Sequence, residues 1–496
     1  MAPEKMTEYE RRRLENIKRN EEMLASLKIQ SRLFQLSAVT KRPKAQSKSY
    51  QASPQKKQRS KSPVVLRRSL RTQGMAPDSS TAGGLKDDFD DLPSRISPNK
   101  SSQPTTKKSP REPTSISMRD AYSGDFDVSN QKLIETIKVF SRTIDDANEG
   151  MDQDSVLGDW TEKRKASGTV RLESLRLEPD NIARVVPGRI LNVRFFPTNN
   201  VRMVAVGNKF GNIGFWNVDA PREDGDGIYL YHPHSGPVSG IIMDPFSVSK
   251  IFTSCYDGFI RMMDIEKEMF DLVYLSEHSI FSISQRAHDM KSIYYGEGSG
   301  ELGIWDLRAG KSSASWNLHD ERINTIDFTS GNCNIMATSS TDGSACIWDL
   351  RKVSAHKPKS LHTVFHKRAV HSAYFSPSGR FLATTSIDDK VGLLSGANYE
   401  DTSMISHYNH TNRWISSFRG IWGWDDSYIF IGNMQRGVDV ISVADKKLEF
   451  TLRSEHMTAI PCRFDAHQEK VGMLAGATSG GQIYIWTASS VGIYGS

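Results

Sequence analysis

Six histidines recur along the chain at nearly constant spacing. Successive members lie 44, 41, 47, 44 and 46 residues apart, at His234, His278, His319, His366, His410 and His456. Imidazole side chains bind metal ions and transfer protons near neutral pH, so this period could indicate a metal centre or an acid–base site. A position that repeats together with a fold more often serves each repeat, here as a hydrogen bond from a loop to its own sheet. We therefore interpret most of the six histidines as structural.

The sequence carries no other catalytic or cofactor-binding pattern. It contains no GxGxxG opening a helix and no GxxxxGK[ST], HExxH or GxSxG motif. Its cysteines, Cys255, Cys333, Cys346 and Cys462, stand far apart without CxxC spacing. This spacing argues against a zinc module and a disulfide framework, and it favours a reducing compartment. We predict a binding protein that is not an enzyme and that uses no cofactor and no metal ion.

The segment from His407 to Trp424 combines side chains that could recognise nucleic acid. Its candidates are Tyr408, Asn409, His410, Asn412, Arg413 and Trp414. Aromatic rings can stack on bases, amides can hydrogen-bond base edges, and a guanidinium can bind phosphate or guanine. The alternative is that Trp414 packs between repeat units and that His410 is one of the structural histidines. Further cations fall in comparable loops, at Lys209, Arg322, Lys367, Arg368 and Arg436.

The tetrapeptide WDLR occurs twice, at Trp305-Asp306-Leu307-Arg308 and at Trp348-Asp349-Leu350-Arg351. A guanidinium held at the rim of a domain can make bidentate contacts with a carboxylate or with carbonyls of a partner. Trp-Asp-x-Arg resembles the motif of propellers that dock on the adaptor of cullin-four ubiquitin ligases. The same tetrapeptide also occurs in propellers that do not bind this ligase.

These residues belong to a repeat that begins near residue 165. The segments FGNIGFWNV, DGFIRMMDI, SGELGIWDL, DGSACIWDL, DDKVGLLSG, RGVDVIS and GGQIYIWTA align on Trp216, Met263, Trp305, Trp348, Leu394, Ile441 and Trp486. The spacing of 42 to 47 residues and the terminal Trp-Asp are typical of WD repeats, in which each unit is one four-stranded blade. Seven positions predict an all-β, seven-bladed WD40 β-propeller.

The last blade requires an outer strand from elsewhere in the chain. The sequence ends ten residues after Trp486, too soon for another strand. The alternating segment Val170 to Leu177 could supply this strand and close the ring, which would leave no open sheet edge. We expect the loops between blades and the loops between second and third strands to lie on one face. The arginines of the two WDLR motifs then lie on the opposite face.

The basic character of the protein resides in its N-terminal region. The net charge is +6, but residues 1–80 contain 19 Lys/Arg against 7 Asp/Glu, so the remainder is slightly acidic. The predicted organisation is a charged helix over 1–36, a disordered basic and Ser-Pro-rich linker over 37–128, a short amphipathic helix and linker over 129–164, and the propeller over 165–496. The basic runs between Lys41 and Arg71 could direct nuclear import or bind phosphates. No apolar stretch is long enough to span a membrane.

Four segments together resemble the WD repeat-containing protein 76 family. They are YERRRLENIKRNEEMLASL near the N-terminus, LRLEPDNIARVVPGRI at the start of the repeats, the paired IWDLR, and SHYNHTNRW. The family is related to the small subunit of the damage-specific DNA-binding complex, in which an aromatic–amide–His triplet on the corresponding hairpin inserts at lesions. Tyr408, Asn409 and His410 occupy that place here, whereas residues 411–414 depart from the relative.

The resemblance implies a nuclear protein that binds damaged or modified duplex DNA and associates with chromatin, histones or components of a cullin-four ligase. We therefore predict a DNA-binding propeller of the DNA damage response and genome maintenance that also acts as a substrate receptor or associate of that ligase. The alternative is a scaffold or ligase receptor that binds protein degrons or histone peptides without binding DNA directly.

Overall fold

The repeats close into a ring of seven antiparallel sheets. The computed structural model describes residues 11, 18, 112–124, 130–140, 168–221, 225–243, 248–286, 289–354, 358–411, 415–488 and 493–495. The chain divides into two compact units, residues 1–87 and 88–496. In the first, only Arg11 and Lys18 of the predicted charged helix are described, and both are helical. The second contains the propeller, which confirms the predicted fold class.

Each blade is a meander of neighbouring strands, numbered here from the strand at the centre of the ring outward. The strands of blades 1 to 3 are Ile190–Phe195, Met203–Asn208, Ile213–Asn217 and Ile228–Tyr231; Val238–Met243, Lys250–Cys255, Phe259–Asp264 and Met269–Leu275; and Ile280–Arg286, Asp289–Glu297, Glu301–Asp306 and Lys311–Asn317. Those of blades 4 to 6 are Ile323–Phe328, Ile335–Ser340, Ser344–Asp349 and His362–Phe365; Val370–Phe375, Leu382–Ser386, Lys390–Ser395 and Asp401–Ser406; and Ile421–Trp422, Tyr428–Asn433, Gly437–Ser442 and Lys447–Leu452.

Blade 7 joins the two ends of the repeat region. Its first three strands are Pro461–Ala466, Met473–Thr478 and Gln482–Ala488. The third strand pairs with two short N-terminal strands, Leu175–Arg176 and Ile182–Arg184. The predicted closing segment, 170–177, therefore supplies only part of the outer strand, because 3-10 turns at Leu172–Ser174 and Pro179–Asn181 interrupt it. A further strand, Gly168–Val170, pairs with Ile493–Gly495.

Three of the six recurring histidines have the structural role that their spacing predicts. Their Nε2 atoms lie 2.7–2.9 Å from a threonine hydroxyl of the second strand, in the pairs His234–Thr253, His319–Thr338 and His366–Thr384. Their Nδ1 atoms face Asp257, Asp342 and Asp388 of the following turn. In blade 4 the Trp348 indole also donates to the Thr338 hydroxyl, at 2.8 Å. These bonds hold each inter-blade loop against its own sheet.

The other three histidines do not make this bond. His278 and His410 are exposed, and His456 lies half-buried beside Glu455. In the loop that enters blade 6, the buried histidine is His407, whose Nε2 lies 3.1 Å from the Asp439 carboxylate. Spacing alone overestimated the structural set because blades 3, 6 and 7 use other side chains, such as the Ser276–Glu297 hydrogen bond of 2.6 Å.

An N-terminal segment packs against blades 1 and 2. Residues Ile116–Ser117 add a fifth strand to blade 2 by pairing with Met269 and Phe270, and a short helix, Met118–Ala121, follows. The guanidinium of Arg261, fully buried, donates to the carbonyls of Thr114 and Glu112 at 2.7 and 3.0 Å. This corrects the prediction that all of 37–128 is a disordered linker, because residues 112–124 supply backbone partners to a buried cation.

A helix over residues 130–140 covers the same region of the propeller. Its apolar face, Leu133, Ile134, Ile137 and Phe140, is buried in one cluster with core residues of blades 1 and 2. The i, i+4, i+7 spacing that predicted an amphipathic helix therefore marks its buried face, while Ile144 lies outside the described residues. None of the described helices has the length and apolar character of a membrane-spanning segment.

We predict that Ile137→Ala lowers the free energy of unfolding by about 2–5 kcal/mol, because it leaves a cavity under a fully buried side chain. The matched control is Val139→Ala on the same helix, where the side chain is 55% exposed and the expected change is within about 0.5 kcal/mol. Urea unfolding of the full chain measures both. Equal effects of the two substitutions would show that this helix does not pack on the propeller.

Candidate nucleic-acid interface

Strand direction places the candidate cations on one face of the ring. In every blade the first strand starts from the inter-blade loop, so these loops and the turns between second and third strands lie at the same end of the sheet. Backbone hydrogen bonds join the two sets, such as His366 N–H to Gly343 O at 2.8 Å and Lys209 N–H to Arg189 O at 2.9 Å. We call this end of the ring the loop face.

The cations of the loop face are exposed to different degrees. Lys209, Lys367, Arg368 and Arg436 are exposed, and Lys209 Nζ lies 4.4 Å from the centre of the Phe210 ring. Arg322 is half-buried, with its guanidinium 5.0 Å from the centre of the Phe281 ring. The structure therefore presents four of these five side chains to solvent and packs the fifth against an aromatic ring.

Charge on the loop face is unevenly distributed. The exposed carboxylates Glu277, Asp320 and Glu321 lie in the loops that enter blades 3 and 4. The loop that enters blade 5 and the turn of blade 6 carry exposed cations instead, at Lys367, Arg368 and Arg436. The loop that leaves blade 6 carries both Arg453 and the exposed Glu455. Arg453, which the sequence analysis did not single out, donates to Gln435 Oε1 at 2.9 Å. The positive part of the face thus lies around blades 5 and 6.

The loop that enters blade 6 divides its candidate residues between solvent and core. Tyr408 is 60% exposed, and His410 is exposed as well. Asn409 is only 2% exposed: its amide nitrogen donates to the carbonyls of Ser386 and Lys390 at 2.9 and 3.1 Å. Its Oδ1 lies 2.7 Å from His407 Nδ1. This corrects the prediction that Asn409 hydrogen-bonds base edges, because its polar atoms already bind its own sheet.

The remaining candidates of this loop, Asn412, Arg413 and Trp414, lie outside the described residues. Beyond them the chain returns to the core, where Phe418 and Trp422 are buried. The indole of Trp422 donates to the Tyr374 carbonyl at 2.7 Å. Tyr408 is therefore the aromatic side chain that the described part of this loop offers to a partner.

Asp389 fixes the backbone of the loop. One of its carboxylate oxygens accepts the backbone N–H groups of Asn409 and His410 at 2.8 and 3.0 Å. Its φ of 63° lies in the left-handed region, at the turn position where blades 1 to 4 and blade 7 have glycine, such as Gly343. Blade 6 has Arg436 at this position, with a φ of 60°. A non-glycine residue there costs about 1–2 kcal/mol of backbone strain, so the two substitutions for glycine have to be offset by contacts.

We predict that Asp389→Gly and Arg436→Gly differ although both relieve the same backbone strain. Arg436→Gly should change stability by less than about 1 kcal/mol, because lower strain opposes the greater freedom of the unfolded chain. Asp389→Gly should be about 1–2 kcal/mol worse, because two N–H groups lose their acceptor. Hydrogen exchange checks the location: the amides of Asn409 and His410 should exchange faster only in Asp389→Gly. Unchanged exchange there would exclude this role of the carboxylate.

One group of potential metal ligands lies on the loop face, among the described residues. Ligand atoms of His234, Cys255 and Asp257 all fall within 4.8 Å of one another. The His–Asp part repeats the structural contact of blades 4 and 5, where Ser340 and Ser386 occupy the position of the cysteine. Burial raises the pKa of the Cys255 thiol and so disfavours the thiolate that a metal ion needs. The contacts within this group are therefore the structural contacts that recur in the other blades.

The two WDLR arginines lie on the opposite face, in turns between third and fourth strands. Arg351 donates from Nε and from Nη2 to the two carboxylate oxygens of Asp349, each at 2.9 Å, and its side chain remains 60% exposed. The hydrogen bonds from Arg351 lower the pKa of Asp349. Arg308 is exposed, and its backbone N–H donates to Asp306 at 2.8 Å. Two neighbouring blades therefore present a guanidinium at the same rim.

Comparison with known proteins agrees with the fold. The WD domain, G-beta repeat family matches residues 310–349 and 358–393. The chain is 27% identical over 508 residues to WD repeat-containing protein 76 of Xenopus laevis, covering 98% of this chain and 82% of the relative. It is 25% identical over 540 residues to DNA damage-binding protein cmr1 of Aspergillus oryzae, covering 98% and 100%. These likenesses confirm the family resemblance predicted from the sequence.

Proposed function

We propose that this chain, which resembles DNA damage-binding relatives over nearly its whole length, is a nuclear DNA-binding propeller that prefers damaged or modified duplexes. Its role is in the DNA damage response and genome maintenance. The name of the Aspergillus oryzae relative describes DNA damage binding, and basic runs between Lys41 and Arg71 favour nuclear import. Those runs lie outside the described residues.

The observation that carries the proposal is the exposure of Tyr408 on the face that also holds the exposed cations of blades 5 and 6. Cations bind phosphates without regard to sequence and position a duplex on the protein. An exposed ring can stack on a base that a lesion has already loosened, since unstacking costs least at such a base. The cations then provide affinity for any duplex, and Tyr408 provides the preference for damaged DNA.

We predict that Tyr408→Ala and the triple variant Lys367→Gln/Arg368→Gln/Arg436→Gln affect DNA binding differently. Tyr408→Ala should lower the ratio of damaged to intact duplex affinity by about tenfold, as expected for the loss of one stacking contact. The triple variant should weaken both duplexes alike and reduce the salt slope by up to about 3. Fluorescence anisotropy of the full chain over a range of salt concentrations measures both quantities.

The matched control carries Arg308→Gln and Arg351→Gln on the opposite face. It removes two positive charges, where the triple variant removes three, and it should leave both duplex affinities unchanged. Equal weakening by the loop-face and opposite-face variants would mean that the effect is general charge attraction. Duplex binding that survives the triple variant with the same salt slope would exclude the loop face as the DNA surface.

We further propose that the WDLR rim binds the adaptor of a cullin-four ubiquitin ligase, so that the protein serves as a substrate receptor or associate. The support is the paired presentation of Arg308 and Arg351, the second held by a bidentate contact to Asp349 and still exposed. A guanidinium fixed in this way loses little side-chain entropy when a partner carboxylate or carbonyl binds it.

We predict that Arg308→Gln with Arg351→Gln lowers recovery of the adaptor in a pull-down at least about tenfold, because both charged donors of the rim are lost, while duplex affinity is retained. Matched substitutions of nearby exposed cations on the same rim, Lys311→Gln and Lys352→Gln, should leave recovery unchanged. If the adaptor is recovered equally from all variants, the rim does not bind it. The alternative function, a scaffold that binds degrons or histone peptides, is then favoured.

A further inference from the structure

Four basic side chains point into the ring near the loop face. Arg322 directly precedes the first strand of blade 4, His371 is the second residue of the first strand of blade 5, and Arg463 is the third residue of the first strand of blade 7. Arg419 lies two residues before the first strand of blade 6. Because first strands run away from the loop face, all four lie at the upper end of the central channel. We call them the channel-mouth cluster.

The cluster is held together by contacts across the ring. Arg419 of blade 6 donates to the carbonyl of Asn324 in blade 4, at 3.1 Å. Arg463 donates to the carbonyls of Leu191 at 2.9 Å and of Ser417. Burial, followed by the charges of Arg419, Arg463 and Arg322, lowers the pKa of His371 to about 3. The imidazole of His371 is therefore neutral at pH 7, and the positive charge of the cluster belongs to its three arginines.

Three nitrogen atoms of the cluster have no hydrogen-bond partner among the described residues. The Nε atoms of Arg322 and Arg419 and the Nε2 atom of His371 are shielded from solvent without a hydrogen bond. Burial and then the charge of Arg419 lower the pKa of Arg463 to about 9. Like charges that converge without compensation are unfavourable unless an anion joins them.

The carboxylates of the channel lie deeper. Asp465 stands two residues beyond Arg463 on the same strand and forms an ion pair of 3.2 Å with Arg194. Its second oxygen accepts the Phe195 N–H at 2.7 Å, and Asp327 accepts the Phe375 N–H at 2.7 Å. Among the described residues, no carboxylate forms an ion pair with Arg322, Arg419 or Arg463. The channel is thus cationic at its mouth and compensated below.

The space beneath the cluster limits what can bind. The cavity bounded by Asn192, Arg194, Tyr374, Arg419 and Arg463 has a volume of about 20 Å³, room for about one water molecule. A ligand therefore stays at the mouth. The cluster is also recessed, since Arg463 is only 8% exposed whereas Tyr408 on the surrounding loops is 60% exposed. The phosphates along a continuous duplex would rest on those loops, whereas a group at the end of a strand could reach in.

We propose that the channel-mouth cluster binds the terminal phosphate of a nucleic-acid strand, and this inference rests on the proposed DNA-binding function. A terminal phosphate carries a charge of about −1.5 to −2 at pH 7 and three acceptor oxygens, whereas a backbone phosphate carries a single negative charge. Arg322 and Arg419, each with an unbonded Nε–H, stand beside the charge of Arg463 and match the first group better. The loop face would then distinguish a duplex with a phosphorylated end from an unbroken one.

The test compares three duplexes of the same sequence with the full-length protein, by fluorescence anisotropy at fixed salt. One has a 5′-phosphate at its end, one has a 5′-hydroxyl, and one is closed by hairpins at both ends. We expect the phosphorylated end to bind about tenfold more tightly than the hydroxyl end, as for one additional charge-assisted contact. Arg419→Gln and Arg322→Gln should each reduce this ratio towards one.

The matched control is Arg453→Gln, an exposed cation of the same face, which should keep the full ratio. Two arginine variants are used so that a folding defect in one, seen in its thermal unfolding curve, leaves the other to decide. Equal affinity for the phosphate and hydroxyl ends, or a preference that survives both arginine variants, overturns the inference. Competition by a phosphoserine peptide as strong as that by the phosphorylated duplex overturns the assignment to nucleic acid.

The hairpin-closed duplex separates this inference from the function on which it depends. If the protein binds that duplex without any preference for a phosphorylated end, only the channel-mouth assignment fails. If it binds none of the three duplexes, the proposed DNA-binding function fails, and the cluster loses its proposed ligand as well. A preference for the phosphate end that disappears with Arg419→Gln and Arg322→Gln, but not with Arg453→Gln, supports both.

Discussion

Closure of the ring is the constraint on which the other features depend. Antiparallel pairing of Gln482–Ala488 with Leu175–Arg176 and Ile182–Arg184 joins the end of the repeats to their beginning. Without it, blade 7 would expose an unpaired edge and blade 1 would lose a packing partner. The loop face, the opposite rim and the central channel all require a closed ring, because each is assembled from several blades. The short N-terminal strands therefore stabilise every feature that the closed ring assembles.

A second constraint is the arrangement of charge inside the ring. Buried ions are costly unless they are paired or hydrogen-bonded. Arg261, which is fully buried, meets this condition through the carbonyls of the N-terminal segment. In the middle of the channel, the partly exposed Arg194 and Asp465 form an ion pair. At the channel mouth, Arg463 satisfies its donors with carbonyls, while Arg322, Arg419 and His371 leave a shielded nitrogen unbound. In the middle of the channel a carboxylate neutralises the charge of Arg194, which makes that pair structural. At the channel mouth the arginine charges have no such partner among the described residues, so that surface can bind an anion.

The loop that enters blade 6 shows how scaffold and recognition share a few residues. Asp389, His407 and Asn409 bind the loop to the sheets of blades 5 and 6. Tyr408, placed between two of them, is left exposed. Side chains fixed on either side restrict the backbone of the aromatic residue, so less conformational entropy is lost when it contacts a partner. The buried amide of Asn409 is thus part of how the protein presents Tyr408, although it is not a contact itself.

The sequence by itself determined the architecture, because the period of 42 to 47 residues and the alternation of apolar side chains are local properties of each blade. It also determined the face on which Lys209, Lys367, Arg368 and Arg436 lie, since strand direction follows from the meander. Tertiary structure alone decided which of the six histidines bond to their sheet, that Asn409 is buried, and that residues 112–124 bind Arg261. It alone brought together Arg322, His371, Arg419 and Arg463. These outcomes depend on contacts between residues far apart in sequence, and the geometry of a closed ring has no counterpart in the spacing of neighbouring residues.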